Sequence, residues 1–168
     1  MKQIIGIIDR INAYVGRGVS WLSLLLVLVI VLDVFLRYVF NWSSPASFEL
    51  EWHIFALIFL LSAGWTLQQD SHVRVDVFYN RFTEKQKAWV NLIGSVLLLL
   101  PLSITVILES IPFVINSFAV RETSGDPGGL PARYIVKAAI PAGFFFLALQ
   151  ALSLSLTSIL KITGNSDD

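Results

Sequence analysis

The chain has 168 residues, of which 55% are hydrophobic and only 14% charged, with twelve basic and twelve acidic side chains and no cysteine. A soluble domain carries about 25% charged residues, so this composition, with a mean hydropathy of +0.72, excludes an ordinary soluble fold. The balanced charge gives no general attraction to nucleic acid, and the absence of cysteine excludes disulfides, thiolate metal sites and thiol nucleophiles.

The first segment, Lys2 to Arg17, divides on a helical wheel. Ile4, Ile5, Ile7, Ile8, Ile11, Tyr14 and Val15 share one half, and Lys2, Asp9, Arg10, Ala13, Gly16 and Arg17 the other. That split predicts an amphipathic helix lying in the membrane interface; the alternative is a plain extension of the first span. The apolar run that follows is too long for a signal peptide and has no small-residue cleavage site after it.

About 20 helical residues cross a hydrocarbon core of about 30 Å. Four stretches meet that length, at about 19–40, 48–69, 88–110 and 133–160. Backbone in lipid must satisfy its own hydrogen bonds, so each is expected to be a helix. The expected fold class is therefore an all-α integral membrane protein with four transmembrane helices in a single membrane domain.

Local signals mark the helix ends. Ser44-Pro45 supplies an N-cap and a first-turn proline, and Thr83 with Gln86 reads as a capping box. The run Asp126-Pro127-Gly128-Gly129-Leu130-Pro131 is a turn cluster. Pro101 and Pro112 are expected to kink the third helix and Pro141 the fourth.

Lys2, Arg10, Arg17, Arg74, Arg81, Lys85, Lys87 and Lys161 all fall before the first span, between the second and third, or after the fourth. The positive-inside rule then places both termini and the 70–87 loop in the cytoplasm, and the 119–132 loop outside. Trp21, Trp65 and Trp89 suit the inner boundary, and Trp42, Trp52 and Tyr134 the outer one.

With that orientation Asp33, Arg37, Glu49, Glu51, His53, Glu109, Arg133 and Lys137 lie in the outer leaflet or at its edge. Asp33 and Arg37 have the i,i+4 spacing of an ion pair on one helix. Glu109 and Lys137 are expected at similar depth on adjacent helices, placed to pair. Ionisable groups at such depth suggest function by default; the competing reading is intrachain pairing that fixes helix register. His53 and His72 are expected about a bilayer apart, too far to share one haem or metal. Serines such as Ser62, Ser153 and Ser155 have no His or Lys at a depth to activate them, so an enzyme is not expected, and no cofactor or metal is assigned.

Small residues form stripes suited to close helix packing: Ala148, Ala151, Ser155 and Ser158 on the fourth helix, and Asn91, Gly94, Ser95 and Leu98 on the third. The chain carries no internal repeat of the kind from which many stand-alone transporters are built.

Four segments in order carry a family resemblance: Asp33-Val-Phe-Leu-Arg37-Tyr38-Val-Phe-Asn41, Glu49-Leu-Glu51, His72-Val-Arg74-Val-Asp76, and Gly129-Leu-Pro131-Ala-Arg133-Tyr134-Ile-Val-Lys137. The sequence resembles the small membrane subunit of TRAP transporters, the tripartite ATP-independent periplasmic carriers, in the DctQ-like family. The resemblance implies a bacterial inner-membrane scaffold subunit. Its partners would be a large membrane subunit, which holds the substrate and sodium sites, and a periplasmic binding protein that delivers organic acids or similar solutes. It also implies interfacial or structural roles for Asp33, Arg37, Glu49, Glu51, Glu109, Arg133 and Lys137, and an anchoring role for His72, Arg74 and Asp76. Two alternatives stand beside it: a membrane anchor of an electron-transfer complex, and an unrelated four-span assembly protein.

Overall fold

A computed structural model describes residues 1–69 and 82–164. The described residues are helical, without strands, in the order α1 (Lys2–Phe40), α2 (Pro45–Gln68), α3 (Glu84–Ile93), a π-helical turn (Gly94–Leu99), α4 (Leu100–Ala119) and α5 (Tyr134–Thr163). With α3, the π turn and α4 forming one rod, four helices are long and apolar enough to cross a membrane.

The ends follow from local chemistry. α1 stops where Asn41 takes the left-handed conformation (φ 50°), its N–H bonding the Leu36 carbonyl, a position asparagine tolerates. The Ser44 hydroxyl accepts the Ala46 N–H at 3.3 Å, with Pro45 in the first turn of α2. The Thr83–Gln86 capping box is fully formed: Gln86 N–H donates to Thr83 Oγ1 at 3.3 Å and Thr83 N–H to Gln86 Oε1 at 2.9 Å. α5 ends at Gly164, left-handed with φ 73°.

The prolines act differently from one another. An α-helical Pro101 would clash with the carbonyl of Leu97, and the chain widens into a π turn over Gly94–Leu99 immediately before it. α4 continues through Pro112, and α5 through Pro141. The third rod thus runs on to Ala119, beyond the stretch 88–110 expected to cross the membrane. The helix passes through Pro112, which was expected within it as a kink.

The π turn also alters one expected packing stripe. Ser95 is buried, but Leu98 is 71% exposed, because the extra residue in the turn shifts the helical phase after Gly94. The face that packs on α5 is instead a line of serines seven residues apart, Ser103, Ser110 and Ser117, all buried. On α5, Ala151, Ser155 and Ser158 of the predicted stripe are buried.

α5 sits at the centre, between α2 and α4, and α1 packs mainly on α2. Two glycines set how close α2 and α5 come. A Cβ on Gly64 would lie 2.8 Å from the Phe146 carbonyl oxygen, and one on Gly143 would lie 2.8 Å from the Leu60 carbonyl carbon. Only a missing side chain permits such contact, and in lipid this close approach is a main source of helix–helix attraction.

α1 is one unbroken helix of 39 residues, about 58 Å long, so the N-terminal segment continues the first span. It packs through Ile8, Asn12, Gly16 and Val19, which are buried, and turns Ile4, Ile7, Ile11 and Tyr14 outward.

Candidate functional site

Polar residues gather at the two ends of the bundle. At the end holding the α1–α2 and α4–α5 connections, Glu49 is the organising group. It is 4% exposed, near the start of α2, and its carboxylate accepts from three directions. Leu130 N–H donates to Oε2 at 2.6 Å and Arg133 Nη2 to Oε1 at 2.8 Å; the Ser124 hydroxyl also donates to Oε1. The 120–133 connection is therefore folded over one carboxylate. Gly129 makes this possible, since a Cβ there would stand 2.8 Å from Glu49 Oε2.

The connection also braces itself. Ser124 N–H bonds the Leu130 carbonyl, and Arg133 N–H bonds the Glu122 carbonyl, each at 3.0 Å. Arg121 (φ 48°) and Ala132 (φ 63°) are left-handed, an unfavourable conformation for residues with a Cβ. The surrounding hydrogen bonds hold them there.

Among the described residues, three ion pairs fill this end. Arg133 pairs with Glu49, Lys137 with Glu122, and Arg37 with Asp33. The expected i,i+4 pair on α1 is present, with Asp33 3% exposed. Arg37 also sits 4.5 Å from the centre of the Phe48 ring, which links α1 to the start of α2. Glu122 is held below the ordinary carboxylate range, first by the hydrogen bond from Lys137 and then by the neighbouring Ser117 hydroxyl.

The expected Glu109–Lys137 pair is not formed. Lys137 directs its ammonium to Glu122 and over the Phe113 ring, 4.0 Å from its centre. Because α4 continues to Ala119, Glu109 lies about 15 Å below the end of its helix. Lys137, one turn into α5, extends the other way, toward the polar boundary. Glu109 is exposed on the outside of α4. Glu51 is half-buried on α2.

The opposite end holds a network that the sequence reading missed. Asn12 Nδ2 donates to Gln150 Oε1 at 2.9 Å, and Gln150 Nε2 to Asp9 Oδ1 at 2.9 Å. Ser153 Oγ donates to the same Asp9 oxygen at 2.8 Å, and Gln68 Nε2 to the Asp9 carbonyl at 3.1 Å. α1, α2 and α5 are thus joined at one level. The helical wheel set Asp9 on a polar outer face; the signal against that was Gln150, a lone amide in an apolar stretch that needed partners. His72, Arg74 and Asp76 lie outside the described residues.

Both polar layers tie helix ends together, and among the described residues no three His, Asp or Glu side chains converge to hold a metal ion. The class this defines is a multi-span membrane protein with a polar layer at each end of its bundle that ties its own helices together.

A family model described as "Tripartite ATP-independent periplasmic transporters, DctQ component" matches residues 26–161. The chain belongs to that family, the small permease component of a tripartite transporter and not an enzyme family. No curated protein matches it. The matched span contains the whole Glu49 layer and Gln150, and begins after Asp9 and Asn12.

Proposed function

We propose that this chain is the scaffold half of the membrane portion of a sodium-coupled, binding-protein-dependent transporter for organic acids or similar solutes. The observation that carries this is the Glu49 cluster, in which one buried carboxylate pins the entire 120–133 connection. A connection held this firmly suits a surface on which another protein must dock repeatedly. The proposed orientation puts it on the periplasmic face of the bacterial inner membrane, with both termini and the 70–87 loop in the cytoplasm.

In this reading sodium and solute bind in the large membrane subunit. Arg37, Glu51, Arg133 and Lys137 present the rim that meets the large subunit or the periplasmic binding protein, on the foundation that Asp33 and Glu49 supply. His72, Arg74 and Asp76 anchor the cytoplasmic loop. The outward aliphatic face of the N-terminal segment, Ile4, Ile7, Ile11 and Tyr14, suits contact with lipid at the inner boundary.

The test is uptake into vesicles holding the large subunit with or without this chain, driven by a sodium gradient. The transported probe is an organic acid chosen because it raises the melting temperature of the binding protein. Loss of uptake without the chain is expected; uptake at the full rate without it would refute a scaffold that transport requires.

A further inference from the structure

α4 carries a second polar line that the bundle does not use. Leu102, Thr105, Glu109, Pro112 and Asn116 are all exposed, at spacings of 3, 4, 3 and 4 residues along the helix. This is the spacing of a seam that faces one other helix. The serine line on which α4 packs against α5 is on a different face.

The chemistry of the line is one-sided. Glu109 offers a carboxylate, Pro112 has no N–H to give the Leu108 carbonyl, and Thr105 and Asn116 carry further acceptor oxygens. A carboxylate at membrane depth is costly without a counter-charge. The basic groups of this chain nearest in register are engaged elsewhere, Lys137 with Glu122 and Arg133 with Glu49. The neutralising cation therefore comes from outside the chain.

We propose that this line is the seam against one transmembrane helix of the large subunit, and that this helix presents a lysine or arginine to Glu109. The inference rests on the scaffold reading above. A lipid amine is the competing source of that charge, but it would meet Glu109 alone, whereas the 3- and 4-residue spacing of the whole line fits a helix. A second copy is a poor candidate: a two-fold contact along this line would set Glu109 near its own mate, and the line contains no basic residue.

The test uses the complete transporter with a photo-reactive benzophenone amino acid at Thr105 or Asn116, and at Leu28 on the exposed face of α1 as control. Expected is cross-linking from both α4 positions, but not from Leu28, to one large-subunit helix bearing a lysine or arginine. Glu109→Lys should then lower recovery of the large subunit by about tenfold or more, and exchanging the partner's basic residue for glutamate should restore it. Capture of lipid alone, of a second copy, or of a helix without a basic residue, while the subunits still co-purify, would overturn the seam and leave the scaffold reading standing. Failure of the unmodified chain to co-purify would overturn both.

Discussion

Arg133 places its Nη2 atom 2.8 Å from Oε1 of Glu49, joining the N-cap of α5 to the beginning of α2 across 84 residues of sequence. Both groups are largely withdrawn from solvent. Removing one partner leaves the other without its counter-charge, which is destabilising. Glu49→Ala is therefore expected to lower the melting temperature in detergent and to expose the 120–133 connection to protease. Arg133→Ala should do the same, and the double variant should lose much less than the sum of the two. Additive losses would show that the two side chains act separately.

The α2–α5 contact depends on backbone approach. Gly143→Leu would drive a side chain into the Leu60 backbone, and overpacking of this kind costs about 1–3 kcal/mol or more. The variant should unfold earlier on heating. Gly18→Leu, at a site where an added Cβ meets nothing within 4 Å, is the control and should not lower the unfolding temperature.

The Asp9–Asn12–Gln150 network predicts a graded response. Gln150→Leu strips a donor from Asp9 and an acceptor from Asn12, and each buried group left unsatisfied costs about 1–3 kcal/mol. Ser153→Ala removes a single donor to Asp9 and should cost less. Thermal unfolding followed by tryptophan fluorescence resolves the order; equal effects would contradict it.

Glu122 supplies a dependence on pH. Its carboxyl is depressed by the Lys137 hydrogen bond and then by Ser117, so the folded state holds it ionised more readily than the unfolded state does. Its contribution is present above the ordinary carboxylate value of about 4.3 and is lost as pH falls through the lower folded value. Protection of the 120–133 connection from acid protease should fall off in that window, and Lys137→Gln should flatten the dependence.

The helices were legible because apolar length in a bilayer leaves the backbone a single option. Thr83–Gln86, Ser44–Pro45 and Asp33–Arg37 were legible because each depends on residues close in sequence. The Glu49 cluster was legible only in part: Glu49 and Arg133 stood out as charges, but their meeting depends on the path of the connection that Gly129 permits. Lys137 was matched to Glu109 by depth alone, whereas its partner Glu122 lies in a turn whose geometry no periodicity encodes. Leu98 left its stripe because one π turn changed the phase, an effect that only the clash at Pro101 could have signalled. Asp9 and Asn12 were hidden by a wheel that sorts polar from apolar and has no place for a polar group satisfied inside the bundle.

In the proposed scaffold role this chain stands against a larger membrane protein. The most direct test of that role is purification of the tagged chain from its native membrane in mild detergent, followed by native mass spectrometry. The expected result is a complex containing one much larger multi-span subunit, retained in Gly18→Leu and weakened in Glu49→Ala. Recovery of the chain alone, or only with copies of itself, would contradict it.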